Sequence, residues 1–108
     1  MDFNTFQSTS RKTAIYPPEY GVMYTALGLC SEAGEVVDKL KKVIRDQDGD
    51  MRDSDTEAIA KELGDVLWYV SNLAYELGLS LEYIAETNCS KLADRMERDS
   101  LSGSGDDR

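Results

Sequence analysis

Apolar residues recur at three- and four-residue steps along two long stretches of the chain. From about Gly21 to Ile44, Val22, Ala26, Leu29, Ala33, Val36, Leu40 and Val43 form one stripe. That period predicts an amphipathic helix. From about Asp55 to Leu77, Ile59, Leu63, Val66, Leu67, Val70, Leu73, Ala74 and Leu77 form a second, again with helical period. Gly78 suits the position just past a helix end. Ser80 suits the N-cap of a fourth helix, with Tyr83, Ile84, Leu92 and Met96 as candidate core residues. Near the start, Phe3 to Thr13 has weak helical character, with Phe3, Phe6 and Gln7 on one side, and Pro17 and Pro18 end it. No segment alternates like a strand. The predicted fold is all-α: two long antiparallel helices, a fourth helix and a short N-terminal one.

The polar stretches between these elements are less distinctive. Asp46 to Glu57 reads as a loop with a turn at Asp48-Gly49. Its acidic spacing resembles a calcium loop, but Met51 stands where such a loop needs glycine. The last residues, SLSGSGDDR, are small and polar. They read either as a frayed terminus or as a glycine-rich turn whose backbone N–H groups suit phosphate.

With 108 residues, one domain spanning 1-108 is expected, with a modest margin of stability. The net charge of -9 argues against nucleic-acid binding, which wants a basic stripe. Histidine is absent. This removes His-based nucleophilic triads, His-ligated zinc and haem, and the Glu-x-x-His pairs of di-iron bundles. Proton transfer falls to carboxylates, lysine, tyrosine or metal-bound water. The opening residues lack the pattern of a signal peptide and no stretch has transmembrane length. A cytoplasmic protein with reduced thiols is expected, with Cys30 and Cys89 as small core residues.

Two acidic pairs change the picture. Glu32 and Glu35 lie in SEAGEVVDKLKK, and Glu62 and Asp65 lie in KELGDVLWYV. Residues three apart share a helix face. Either pair alone is ordinary solvated surface. Here both interrupt apolar stripes, and the loop between them permits antiparallel return. Four converging carboxylates repel one another unless a cation joins them, and an oxygen-only donor set suits Mg²⁺. Gly34 and Gly64 sit inside the two pairs. Glycine within a helix costs ~1 kcal/mol relative to alanine, which suggests close helix approach or room for a ligand. Asp38 and Lys39 lie near Glu32 and Glu35 around the second helix, and Tyr69 and Asn72 follow Asp65 along the third.

The combination resembles the all-α nucleoside triphosphate pyrophosphohydrolases, the MazG-like family. Its signature is ExxE, a spacer, then ExxD, here Glu32 to Glu35 and Glu62 to Asp65. Asn88, Lys91, Leu92 and Arg95 resemble its Asn-x-x-Lys-Leu-x-x-Arg element, and SGSGDDR is similar to the ending of a small, single-domain, often phage-encoded branch. The likeness covers nearly the whole chain. The N-terminal segment matches little, and Met96 replaces an aromatic residue of many relatives.

The resemblance implies hydrolysis of a (deoxy)nucleoside triphosphate to the monophosphate and pyrophosphate. It implies Mg²⁺, with Mn²⁺ as the alternative ion, on Glu32, Glu35, Glu62 and Asp65, and Glu35 as first candidate for the base. Lys91, Arg95 and Asn88 would meet phosphates, and Tyr69 the sugar or base. Asn72 and Lys39 would also contact the substrate, and Asp106 and Arg108 would close over it. Trp68 is read as core or subunit interface. The resemblance further implies a homo-oligomer with a four-helix core, a tetramer (dimer of dimers) ahead of a dimer. No nucleic-acid or membrane partner is expected. Two other readings compete: a non-catalytic helical module that binds nucleotide or metal to regulate a partner, and a structural bundle whose acids face solvent.

Overall fold

The computed structural model describes residues 1–108 and is all-helical: α1 (Phe3–Arg11), a 3-10 turn (Pro18–Tyr20), α2 (Gly21–Gln47), α3 (Asp53–Glu76) and α4 (Leu81–Glu97). No helix is long and apolar enough to cross a membrane. Local chemistry sets the boundaries. Asp2 caps α1 by accepting the Thr5 N–H at 2.7 Å. At the end of α2, Asp48 and Gly49 both adopt positive φ, 52° and 77°, and the Gly49 N–H bonds Val43 O. This left-handed turn closes the helix where a turn was expected. The Asp55 carboxylate then accepts the Arg52 N–H at 3.0 Å and the Gln47 amide at 2.8 Å. It therefore fastens the start of α3 to the end of α2. The expected loop from Asp46 to Glu57 shrinks to Asp48–Arg52 because Asp55 serves as a first-turn acceptor. Gly78, at φ 76°, and Ser80, which accepts the Tyr83 N–H at 3.0 Å, act as expected.

The pairs Gln47–Asp55, Lys39–Glu62 and Gly21–Glu76 are in contact. One number rises as the other falls, so α2 and α3 form an antiparallel hairpin. Thr25, Leu29, Glu32, Val36, Lys39 and Val43 are the less exposed positions along α2, and they follow one another at three- and four-residue steps. The helix α1 lies on α3 and α4, and α4 does not touch α2. Gln7 pins that corner: its amide donates to Leu79 O and Ser71 O, and its oxygen accepts the Leu81 N–H.

The interior is thin. Tyr16, Val43, Ala74 and Leu81 are its only fully covered apolar residues. The radius of gyration is 16.8 Å, against about 13 Å for a compact chain of this length. Met23, Leu27, Val37 and Ile44 stand 63–70% exposed along a second stripe of α2 that no part of this chain covers. Cys30 lies on the same stripe and is exposed, as is Cys89, so neither cysteine is a core residue of the chain. Tyr83, Ile84, Leu92 and Met96 are also exposed. Leu81 is the only apolar residue of α4 that the rest of the chain buries, which overturns the expectation that these four residues form a core.

Candidate functional site

The site begins with a missing side chain. A Cβ at Gly28 would lie 2.0 Å from the Tyr69 ring, so only glycine lets that ring lie against α2. Tyr69 is then flanked by Trp68, centroids 4.9 Å apart, and Tyr24, 6.5 Å apart, while Tyr16 stacks on Tyr24 at 5.1 Å. Replacing Gly28 by alanine should displace Tyr69 and destabilise the chain by about 1–3 kcal/mol, read as a lower denaturant midpoint. An unchanged midpoint would show that the ring is not fixed there.

One turn before Tyr69, α3 presents Glu62 and Asp65 to Glu32 of α2. One carboxylate oxygen from each of the three lies within 4.8 Å of the others. Partial burial, then the charges of Asp65 and Glu62, push the Glu32 carboxyl above its usual range. Lys39 Nζ, 3.3 Å from Glu62 Oε1, is the only cation paired with the cluster. Two oxygens bound to one Mg²⁺ lie at most about 4.2 Å apart, twice the ~2.1 Å bond. The three carboxylates therefore fit a small hard cation after slight inward movement.

Two of these acids, Glu32 and Asp65, form one side of a cleft of about 320 Å³ that Thr13, Trp68 and Tyr69 complete. The Trp68 indole N–H donates to Thr13 Oγ1 at 2.8 Å. Trp68 thus lies beside the acids as part of the cleft wall. Its spacing of three from Asp65 was the available signal. Thr13 carried none, because only the docking of α1 brings it there. Burial raises the Tyr69 hydroxyl, with Tyr24, Glu32 and Asp65 adding to the effect. The phenol is neutral at pH 7. The cleft thus has an acidic, cation-seeking side and a neutral aromatic side.

The other expected residues are dispersed. Glu35 is exposed and lies outside the three-acid group. Asn72 is fully buried: its oxygen accepts from Arg11 at 3.1 Å and its amide donates to Trp68 O at 3.0 Å. Its role is internal, and the expectation that it meets substrate is not met by this arrangement. It belongs to a network the sequence did not suggest. Arg11 also reaches Glu76 at 3.3 Å and sits 3.8 Å over the Tyr75 ring, and Tyr16 donates to Glu76 at 2.5 Å. This network fastens α1 and the segment after it to α3. Gly34 and Gly64 have no neighbour within 4 Å of a built Cβ. Neither marks close approach inside the chain.

Asn88, Lys91 and Arg95 ride on α4, away from α2. Arg95 is buried and Lys91 half-buried, and both bond Asp106. Arg98 donates to Arg108 O at 2.7 Å, while Arg108 donates to Leu101 O and Gly105 O. The last eight residues are therefore folded back on α4 and not frayed.

Comparison with known proteins agrees with these features. The family model described as the MazG nucleotide pyrophosphohydrolase domain matches residues 23–98. That span holds all four signature acids and the Asn88-Lys91-Arg95 face. The Gene 37 protein of Mycobacterium phage L5 is 39% identical over 114 residues, with the whole of both chains covered. No solved structure matches. On the extent of the family match and the full-length likeness to the phage protein, the chain belongs to the MazG nucleotide pyrophosphohydrolase family.

Proposed function

We propose that the chain hydrolyses ribo- and deoxyribonucleoside triphosphates to the monophosphate and pyrophosphate, adjusting or cleansing a nucleotide pool. The observation that carries this reading is the cleft: Glu32 and Asp65 of the three-carboxylate cluster on one side, Trp68 and Tyr69 on the other. A nucleotide has the complementary division, a polyphosphate that travels with Mg²⁺ and a flat base that stacks on aromatic rings.

Glu32, Glu62 and Asp65 would hold Mg²⁺, or Mn²⁺ in its place. The bound ion would neutralise charge on the phosphates and lower the pKa of a coordinated water. Lys39 steadies Glu62 through their 3.3 Å ion pair. Glu35, exposed on α2 one turn beyond Glu32, would complete the acidic set and hold a water on its solvent side. Trp68, held by Thr13, and Tyr69 would form the base and sugar wall.

Lys91 and Arg95 would supply cations to the phosphates. Since α4 does not touch α2, these cations would come from a second copy, so the working form is a homo-oligomer. A tetramer is favoured over a dimer, since α2 and α4 leave separate apolar faces open. The reading needs neither nucleic acid nor membrane and suits the cytoplasm, including a host cytoplasm.

The test is pyrophosphate release from a panel of ribo- and deoxyribonucleoside triphosphates with Mg²⁺, and again with chelator. Metal-dependent release from at least one is expected. Nucleotide binding without pyrophosphate from any of them would remove the enzyme reading and leave a non-catalytic nucleotide-binding module.

A further inference from the structure

Arg95 is a cation only 4% exposed. A buried guanidinium must be paired, and its hydrogen-bond acceptors both belong to Asp106. Arg95 Nη2 lies 3.3 Å from Asp106 Oδ1 and also donates to the Asp106 backbone carbonyl. Lys91 Nζ bonds the same Oδ1 at 2.8 Å. One carboxylate held by an arginine and a lysine makes the contacts that a phosphate would make there.

We propose that Leu101–Arg108 is a displaceable strap: its Asp106 carboxylate occupies the Lys91–Arg95 anion site, and a polyphosphate takes its place. The inference rests on reading that pair as phosphate-binding, and it assigns the pair a built-in competitor.

The strap is made to open. Gly103 and Gly105, at φ 110° and 86°, reverse the chain in a conformation that other residues rarely adopt. Its one large apolar residue, Leu101, is 52% exposed, so no hydrophobic anchor holds it down. Asp106 itself is 80% exposed at the side chain, and ion pairs of such groups are weak. Closure also leaves the buried Arg108 Nε without an acceptor. A polyphosphate brings several charges where Asp106 brings one, so exchange favours the ligand. Closure hides Arg95 when no anion is present and lowers the apparent affinity by the fraction of strap that is closed.

The probe is inorganic tripolyphosphate without metal, titrated calorimetrically into the full chain at low salt. Asp106→Asn removes the competing charge and keeps the strap's length. A chain ending at Ser100 removes the strap. Both should bind tripolyphosphate about three- to tenfold more tightly than the unaltered chain, and Lys91→Ala added to Asp106→Asn should abolish the gain. In the unaltered chain, saturating tripolyphosphate should accelerate amide exchange at Gly103, Ser104 and Gly105. Equal or weaker binding by Asp106→Asn, no binding by any form, or exchange that does not quicken would overturn the proposal. The second measurement needs no variant, so poor folding of an altered chain leaves the test intact. Triphosphate hydrolysis with unchanged tripolyphosphate affinity would sink the strap alone. Absent hydrolysis with tighter binding by Asp106→Asn would sink the enzyme reading alone.

Discussion

Replacing Glu32 or Asp65 by its amide should lower metal-dependent pyrophosphate release about a thousandfold or more, while the metal-free chain stays at least as stable as before. The loss follows from the donor set. Three carboxylates form the candidate ion site, and removing one takes away a ligand and a third of the charge facing the cation. A thousandfold loss corresponds to about 4 kcal/mol of transition-state stabilisation, within what a metal supplies as a Lewis acid. The stability half has the opposite sign to most buried-site substitutions. Glu32 carries a raised pKa in the fold, from burial and from its acidic neighbours. Its ionised form is therefore disfavoured by folding at pH 7, and an amide of the same shape relieves that repulsion. Mg²⁺ reverses the order. At a hundred times its dissociation constant it stabilises the unaltered chain by about 2.7 kcal/mol, and the amide variants should gain little. Thermal unfolding of each form in chelator and in Mg²⁺ reads both halves. A Glu32→Gln chain that melts earlier in chelator would make the cluster a structural element. One that keeps full activity would remove it from the reaction.

Much of this architecture was legible along the chain. Gly78 and Ser80 marked a helix end and a helix start because capping is local chemistry. The two long helices followed from period, and the acid pairs from spacing. What spacing did not supply was the rotation of α2 against α3. At 3.6 residues per turn, Glu35 points about 60° away from Glu32 around the helix, whereas Lys39, seven residues on, returns to within about 20°. Lys39 therefore meets Glu62 while Glu35 faces solvent. That rotation is set by the contact of Tyr69 with Gly28, a pair forty-one positions apart that no local pattern links. For the same reason Gly34 and Gly64, inside the acid pairs, have open space around them. Asn72 shows the limit in another form. A polar residue on the acidic face reads as a ligand, yet its neighbours from α1 make it an internal strut. The strap escaped a firm reading because its partners, Lys91 and Arg95, were themselves read as waiting for phosphate.

A charge on the open stripe of α2 should unfold the chain as well as dissociate it. Met23, Leu27, Val37 and Ile44 are each at least 63% exposed and recur at helical steps on one face. A single copy with only four covered apolar residues has little to offset the entropy of ordering four helices. Packing a second copy on this stripe would build the four-helix core that one hairpin lacks. Burying each leucine-sized side chain contributes about 1.5–3 kcal/mol, and in a two-fold interface every position counts twice. Leu27→Asp would forfeit that burial on both sides and place two carboxylates in an apolar seam. The combined loss exceeds about 5 kcal/mol, or more than three decades in association constant. Because subunit contact and folding stabilise each other, the dissociated chain should lose helical circular dichroism and not persist as a folded monomer. Sedimentation of the unaltered chain at micromolar concentration should show a homo-oligomer, and its denaturant midpoint should rise with protein concentration. Val37→Asp should repeat the effect of Leu27→Asp. An unaltered chain that sediments as a monomer, fully helical and with a concentration-independent midpoint, would refute the interface. It would also remove the second copy from which Lys91 and Arg95 are proposed to reach the acids.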